Sequence, residues 1–333
     1  MCKFNWCVMS IYLKSLALLL IMISTYSYGC SAYVASSPNE TIKFNPTITV
    51  QRDTPVGSVI TSAKGTLTGD PHYFLSKDCS VYVVMLYNGA QASGVDNVYK
   101  TNVPGVGIRI RINSWNHGGA YAAPSPGGFV FTASSDTGGF GFSEANAELI
   151  KTENITSGVL LTGEAVKYEA ADNENTDANS HVTWSIVSSS TINQVACSIV
   201  SGESLAFPIG DVMAGQFIAP GTVSKEARTV NLGLDCDAGA NVNITLNGVQ
   251  SNETSDSSVL SLTTDGGQEG IAEGVGVQLL YNNEPLKLNS RIVLKQSQGG
   301  QESFPITARY IQTKDKVKPG IANATAVLNL TYQ

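Results

Sequence analysis

Apolar and polar residues alternate along most of this chain with a period of two, and helical spacing is hard to find. Val230, Leu232, Leu234 and Cys236 alternate with Asn231, Gly233 and Asp235, and Val242, Ile244 and Leu246 repeat the pattern. Val277, Leu279 and Tyr281 follow, then Phe304, Ile306, Ala308 and Tyr310. Turn residues punctuate these runs at Asn247-Gly248, Asp265-Gly266-Gly267 and Gln298-Gly299-Gly300. Residues two apart share a face of a strand, so each run predicts a half-buried strand, and short strands with frequent turns predict a β-sandwich. Cys236 falls on the apolar parity and is expected to point its sulfur into the core.

The first half carries the same signal in the apolar run Val81 to Tyr87, in Ile108, Ile110 and Ile112, and in Val182, Trp184 and Ile186. It predicts a second sandwich with Trp184 in its core. The polar stretch from Ser188 to Gln194 predicts a short linker between a domain of residues 30–187 and one of residues 195–333. At the carboxyl end, Ala324, Ala326, Leu328, Leu330 and Tyr332 share one face of a strand that reaches the last residues. A strand left there offers backbone donors, acceptors and an apolar row to a neighbour, so this end is expected to be a docking edge.

Lys3 and Lys14 precede an apolar run from Leu16 to Ile23 and small residues up to Gly29, the order of a secretory signal peptide over residues 1–29. The run is shorter than the roughly 20 residues a membrane helix needs. Export then makes the even count of remaining cysteines, Cys30, Cys79, Cys197 and Cys236, read as two disulfides. Their spacing favours the local pairs Cys30–Cys79 and Cys197–Cys236. The remaining 304 residues exceed one average domain, and 42% apolar against 14% charged residues suffices for two packed cores. A net charge of −7 without a basic stripe argues against nucleic acid or an anionic membrane as partner.

From Cys197 and Cys236 through Glu273-Gly-Val-Gly-Val-Gln278 to the closing Leu328-Asn-Leu-Thr-Tyr-Gln333, the second half resembles the pilin domain of chaperone-usher fimbriae. The resemblance implies an immunoglobulin-like sandwich lacking one strand, with a groove filled first by a periplasmic chaperone and then by the next subunit's extension. That exchange is donor-strand complementation. It also implies an outer-membrane usher as partner and a place at the cell surface. About 160 residues of folded domain stand where a shaft subunit carries its own donor extension, so the layout is that of a fimbrial tip adhesin with nothing to donate.

The first half resembles the type 3 fimbrial adhesins in Asp53-Thr-Pro-Val-Gly-Ser-Val-Ile60 and in Val98-Tyr-Lys-Thr-Asn-Val-Pro-Gly-Val-Gly-Ile108, which implies collagen-like or other matrix ligands. The layout is also similar to that of the type 1 pilus mannose-binding adhesins. Their mannose pocket has no counterpart in this sequence, so mannose specificity is not carried over. The alternative within the same class is a non-adhesive minor tip pilin or adaptor that caps or initiates the fibre.

With Ile108, Ile110 and Ile112 facing inward, Arg109, Arg111, Asn113 and Trp115 share the outward parity, beside a loop containing Asn116, His117 and Tyr121. Trp115, Asn116, His117, Tyr121 and Arg111 form the candidate ligand patch, since aromatic faces stack on sugar rings or proline-rich peptide while amide and imidazole groups add directional bonds. Trp115 as a packing lid is the other reading. Phe140 and Phe142 share a parity explained equally by strand packing, and Asp172 to Asp177 is acidic but lacks the glycine and terminal glutamate of a calcium loop. No nucleophile elbow, zinc-binding helix or phosphate loop is present, and paired carboxylates such as Glu144 with Glu148 could in principle serve glycoside hydrolysis, although proximity in sequence does not set their separation. No enzyme, cofactor or metal is expected.

Overall fold

The structure, a computed structural model, describes residues 32–34, 40–66, 72–75, 79–114, 117–125, 127–133, 140–171, 181–263 and 270–333. The predicted signal peptide, Cys30, Trp115, Asn116, the turn at 265–267 and the acidic stretch 172–177 lie outside the described residues. Among the described residues, no helix is long and apolar enough to cross a membrane.

The first unit contains β1 (Thr47–Gln51), β2 (Val59–Thr66), β3 (Cys79–Met85), β4 (Val106–Ser114), β5 (Gly118–Tyr121), β6 (Gly128–Ala133), β7 (Phe140–Lys151), β8 (Gly163–Ala171), β9 (His181–Ile186) and β10 (Ser190–Val195). One layer runs β2, β7, β4, β5, and the facing layer runs β9, β8, β3, β6. Ile108, Ile110 and Ile112 of β4 stand opposite Leu149, Ala147 and Ala145 of β7, and all six are completely buried between the layers. Trp184 enters from β9 and meets Phe142 with ring centroids 4.6 Å apart, so both aromatics are core residues.

The layers join at a corner. Residues Glu40–Ile42 pair with both β2 and β9, and there a Cβ on Gly65 would lie 2.9 Å from the Trp184 ring and from Ala145 Cβ. Only glycine lets the strand turn over the indole.

The stretch 188–194, expected as an unstructured linker, is a strand over most of its length. β10 pairs parallel with β1 and antiparallel with Gly158–Leu160, and Ile192 is fully buried in the first core. Its polar composition concealed this because Ser190 and Ile192 are its most deeply buried inward positions, and one of them is a serine.

The second unit contains β11 (Cys197–Ile199), β12 (Val223–Cys236), β13 (Asn241–Gly248), β14 (Val275–Tyr281), β15 (Arg291–Gln296), β16 (Gly300–Gln312) and β17 (Ala326–Tyr332). One layer runs β11, β12, β16, β14, and the other β15, β13, β17. Leu232, Leu234, Phe304 and Ile306 pack across the interior on Val242, Ile244, Leu246 and Tyr332. Cys197 stands opposite Cys236 in the β11–β12 register, and a disulfide joins them. Cys79 is also disulfide-bonded, while its expected partner Cys30 is outside the described residues.

Two turn and boundary expectations change. Asn247-Gly248 does not turn: β13 continues through Gly248, whose missing Cβ makes room for Leu260 Cδ2, 2.4 Å from where that carbon would lie. The last strand starts at Ala326, so Ala324 precedes it, half-buried.

The units meet at residues 51–53, at the end of β1. Gln51 Nε2 donates to the Gly239 carbonyl and its Oε1 accepts from the Asn241 N–H, both at 2.9 Å. The Arg52 guanidinium lies 4.5 Å over the Tyr332 ring and pairs with Asp53 at 3.0 Å. Asp53 reaches the end of β17 itself: its N–H donates to the Tyr332 carbonyl at 3.1 Å, and its Oδ2 accepts from the Tyr332 N–H at 2.9 Å.

Candidate functional site

Two surfaces carry the chemistry, one on each unit. On the second, β17 pairs with β13 in an unbroken register that sets Leu328 opposite Leu246, Leu330 opposite Ile244 and Tyr332 opposite Val242. Tyr332 is fully enclosed, and its hydroxyl donates to the Cys197 carbonyl at 3.1 Å. Burial drives the phenol's pKa above its ordinary value. Leu328 and Leu330 share that face yet stay only half-buried. Among the described strands β17 pairs with β13 alone, so its other edge is open.

A groove of about 880 Å³ opens beside the start of this strand. Leu205, Phe207, Phe217, Val277, Tyr310 and Ala324 line it, interspersed with polar groups. Tyr310 is held against it by donating its hydroxyl to the Ala322 carbonyl at 2.9 Å. Of the expected docking residues, Ala326, Leu328, Leu330 and Tyr332 lie on β17 and Ala324 lines the groove just before it.

On the first unit the outward face of β4 carries Arg109 and Arg111. Pairing of β4 with β5 sets Arg111 opposite Tyr121, and the two guanidinium carbons lie 5.6 and 5.8 Å from the Tyr121 ring centre. Arg109 also pairs with Glu148 of β7 at 2.7 Å, and Lys64 forms a close ion pair with Glu144. The hydrogen bond from Lys64 holds the Glu144 carboxyl below its ordinary pKa. Glu144 and Glu148 thus each face a cation of their own.

His117 stacks on Phe131 of β6 with ring centroids 3.9 Å apart, and Phe129, 57% exposed, meets Tyr82 edge-on at 5.9 Å. A Cβ on Gly128 would lie 2.1 Å from the Tyr121 carbonyl oxygen, so glycine brings the β6 backbone against the end of β5. Of the expected patch, Arg111 and Tyr121 face each other across β4 and β5, while His117, four residues before Tyr121, stacks on Phe131. Phe129 and Phe131 are not among the residues the sequence singled out. Their signal was the pair of phenylalanines two apart in Gly128-Phe-Val-Phe-Thr132, which says nothing of their neighbours until β6 is placed beside β5.

Comparison with known proteins divides the chain a few residues before the boundary between the cores, so that β10, packed in the first core, falls in the second match. Residues 46–188 match the MrkD-like receptor binding domain family and residues 186–333 the fimbrial protein family. A fimbria adhesin protein of Klebsiella pneumoniae is 27% identical over 332 residues, covering 94% of this chain and 97% of that protein. Among solved structures, the CupB6 tip adhesin of Pseudomonas aeruginosa is 17% identical, covering 91% of this chain and 92% of that one, with a TM-score of 0.38. The receptor binding domain of the adhesin MrkD1P of Klebsiella pneumoniae is 22% identical, covering 52% of this chain and 100% of its own, with a TM-score of 0.37.

Proposed function

We propose that this chain is a two-domain fimbrial tip adhesin of the cell surface, whose first domain holds the receptor while its second accepts a strand from another protein. The observation that carries the second part is the half-buried row of Leu328 and Leu330 on β17, beside its open edge and a groove lined in part by Leu205, Phe207 and Phe217. A strand added there gains main-chain hydrogen bonds from the edge and buries apolar side chains in the groove, which is β-augmentation. A periplasmic chaperone fills the groove first, an usher accepts that complex, and the next pilus subunit replaces the chaperone's strand. Removing Ala324 to Gln333 takes away both edge and face, so the truncated chain is expected not to co-purify with its chaperone. Normal co-purification would sink this part.

The receptor face is the surface around Arg111, Tyr121, His117 and Phe129, with Trp115 and Asn116 adjoining in sequence. Exposed rings beside guanidinium groups suit proline-rich matrix protein or glycan, because both present flat apolar faces and hydrogen-bond acceptors. Binding rather than catalysis is the reading the ion-paired Glu144 and Glu148 support. Screening residues 30–195 on a glycan array beside immobilised matrix proteins tests it, with Tyr121→Ala and Trp115→Ala in parallel. Selective binding that falls at least tenfold in Tyr121→Ala, with the melt unchanged, is expected. A folded domain that binds nothing would favour the alternative, a tip subunit that caps or initiates the fibre.

A further inference from the structure

In an antiparallel pair, residues alternate between those that exchange both backbone bonds with the partner and those that direct both groups away. Tyr332 gives its N–H and its C=O to Asp53, so both groups point away from β13. The β13–β17 register has no shift, so Leu330, Leu328 and Ala326, two, four and six residues earlier, direct their groups the same way. Among the described residues, no backbone hydrogen bond outside the strand ladders uses them. The open edge of β17 therefore has four equivalent places, at Ala326, Leu328, Leu330 and Tyr332, and a residue of the first domain already fills the last.

Asp53 is fixed there from several sides. Arg52 pairs with its carboxylate and donates its own N–H to the Val195 carbonyl at 3.1 Å. Lys151, at the end of β7 and only 3% exposed, donates its Nζ to the Arg52 carbonyl. Gln333 Nε2 donates to the Asp53 carbonyl at 3.4 Å. Displacing Asp53 from Tyr332 would break both bonds and disturb the joint between the domains.

We infer that Asp53 is a strand stop: it caps the open edge of β17, so that an incoming strand pairs along Ala326 to Leu330 and ends before Tyr332. The inference rests on the strand-accepting reading and adds what sets the register. A slip of one residue would turn the incoming apolar row out of the groove. A slip of two toward Tyr332 keeps that parity, and Asp53 blocks it. The receptor domain thus selects strands by where they end, a specificity that the second domain alone lacks.

Amide hydrogen exchange in the full chain tests the stop directly. The Tyr332 amide is expected to exchange at least tenfold more slowly than those of Leu328 and Leu330, and Asp53→Ala to bring it to their rate. Asp53→Asn, which keeps an acceptor oxygen but loses the charge facing Arg52, should give an intermediate rate. A Tyr332 amide as fast as that of Leu330 in the unaltered chain overturns the inference.

Two synthetic peptides of alternating valine and threonine then probe the edge, one spanning Ala326 to Leu330 and one two residues longer toward Tyr332, each made in both polarities. On the unaltered chain the longer peptide should bind within twofold of the shorter, and on Asp53→Ala at least fivefold tighter. An equal gain on both chains overturns the strand stop and leaves the strand-accepting reading standing. Binding of neither peptide to either chain overturns that reading, and the stop with it.

Discussion

Ile108, Ile110 and Ile112 in β4 and Leu328, Leu330 and Tyr332 in β17 present the same alternating apolar row, yet the first three are fully buried while two of the second three are not. The difference lies in the neighbours. β4 has β7 and β5 on either side and a complete layer facing it, whereas β17 has β13 on one side, an open edge on the other and a groove beside its start. Fully burying a leucine is worth about 1.5–3 kcal/mol, so the second domain forgoes stabilisation that the first has in full. A row of this kind left half-covered is a place for another chain, because a strand laid against it recovers the missing burial together with the unused backbone bonds.

Separating the domains should break the comparison most completely. Residues 30–195 alone are expected to melt cooperatively, and residues 195–333 alone to show no cooperative transition until an alternating apolar peptide is added, as followed by circular dichroism. A cooperative melt of the lone second domain would remove the contrast. Replacing Cys197 and Cys236 by alanine opens a loop with a sequence separation of 39, which by chain entropy costs about 4 kcal/mol. Denaturant melts should place that loss in the second domain only.

Trp184→Ala should cost the first domain about 3–5 kcal/mol, from the lost transfer energy and the cavity under Gly65, and leave the second untouched. The smallest effect sharpens the joint. Burial opposes ionisation of Asp53, but the hydrogen bond from Arg52, the Tyr332 N–H and the charges of Arg52 and Lys151 outweigh it and hold the carboxyl below its ordinary 3.8. Such a group adds stability above its unfolded pKa and loses it as pH falls through the folded one. Exchange at Tyr332 should therefore be unchanged from pH 7 to 5, after correction for intrinsic rates, and accelerate only below about pH 4.

Much of the fold was legible because a two-residue period is a local property. The parity of Ile108 to Ile112, of Trp184 and of Cys236 each predicted the inward face that the strands then adopt. Where local chemistry and packing diverged, the reading went astray. Ser188 to Gln194 looked like a linker because its composition is polar, although one buried isoleucine and pairing to β1 suffice to make it a strand. Asn247-Gly248 looked like a turn because glycine there answers the approach of Leu260 rather than a reversal of the chain.

By itself the sequence determined the all-β class, two cores, the Cys197–Cys236 pair and an apolar last strand, since each depends on spacing along the chain. Only the tertiary structure decided that β6 brings Gly128 against the Tyr121 carbonyl and Phe131 against His117, and that Asp53 closes an edge 279 residues away in the chain. Those contacts join residues that no period links. They exist because folded sheets bring distant strand ends together, and nothing local in the chain encodes which ends will meet.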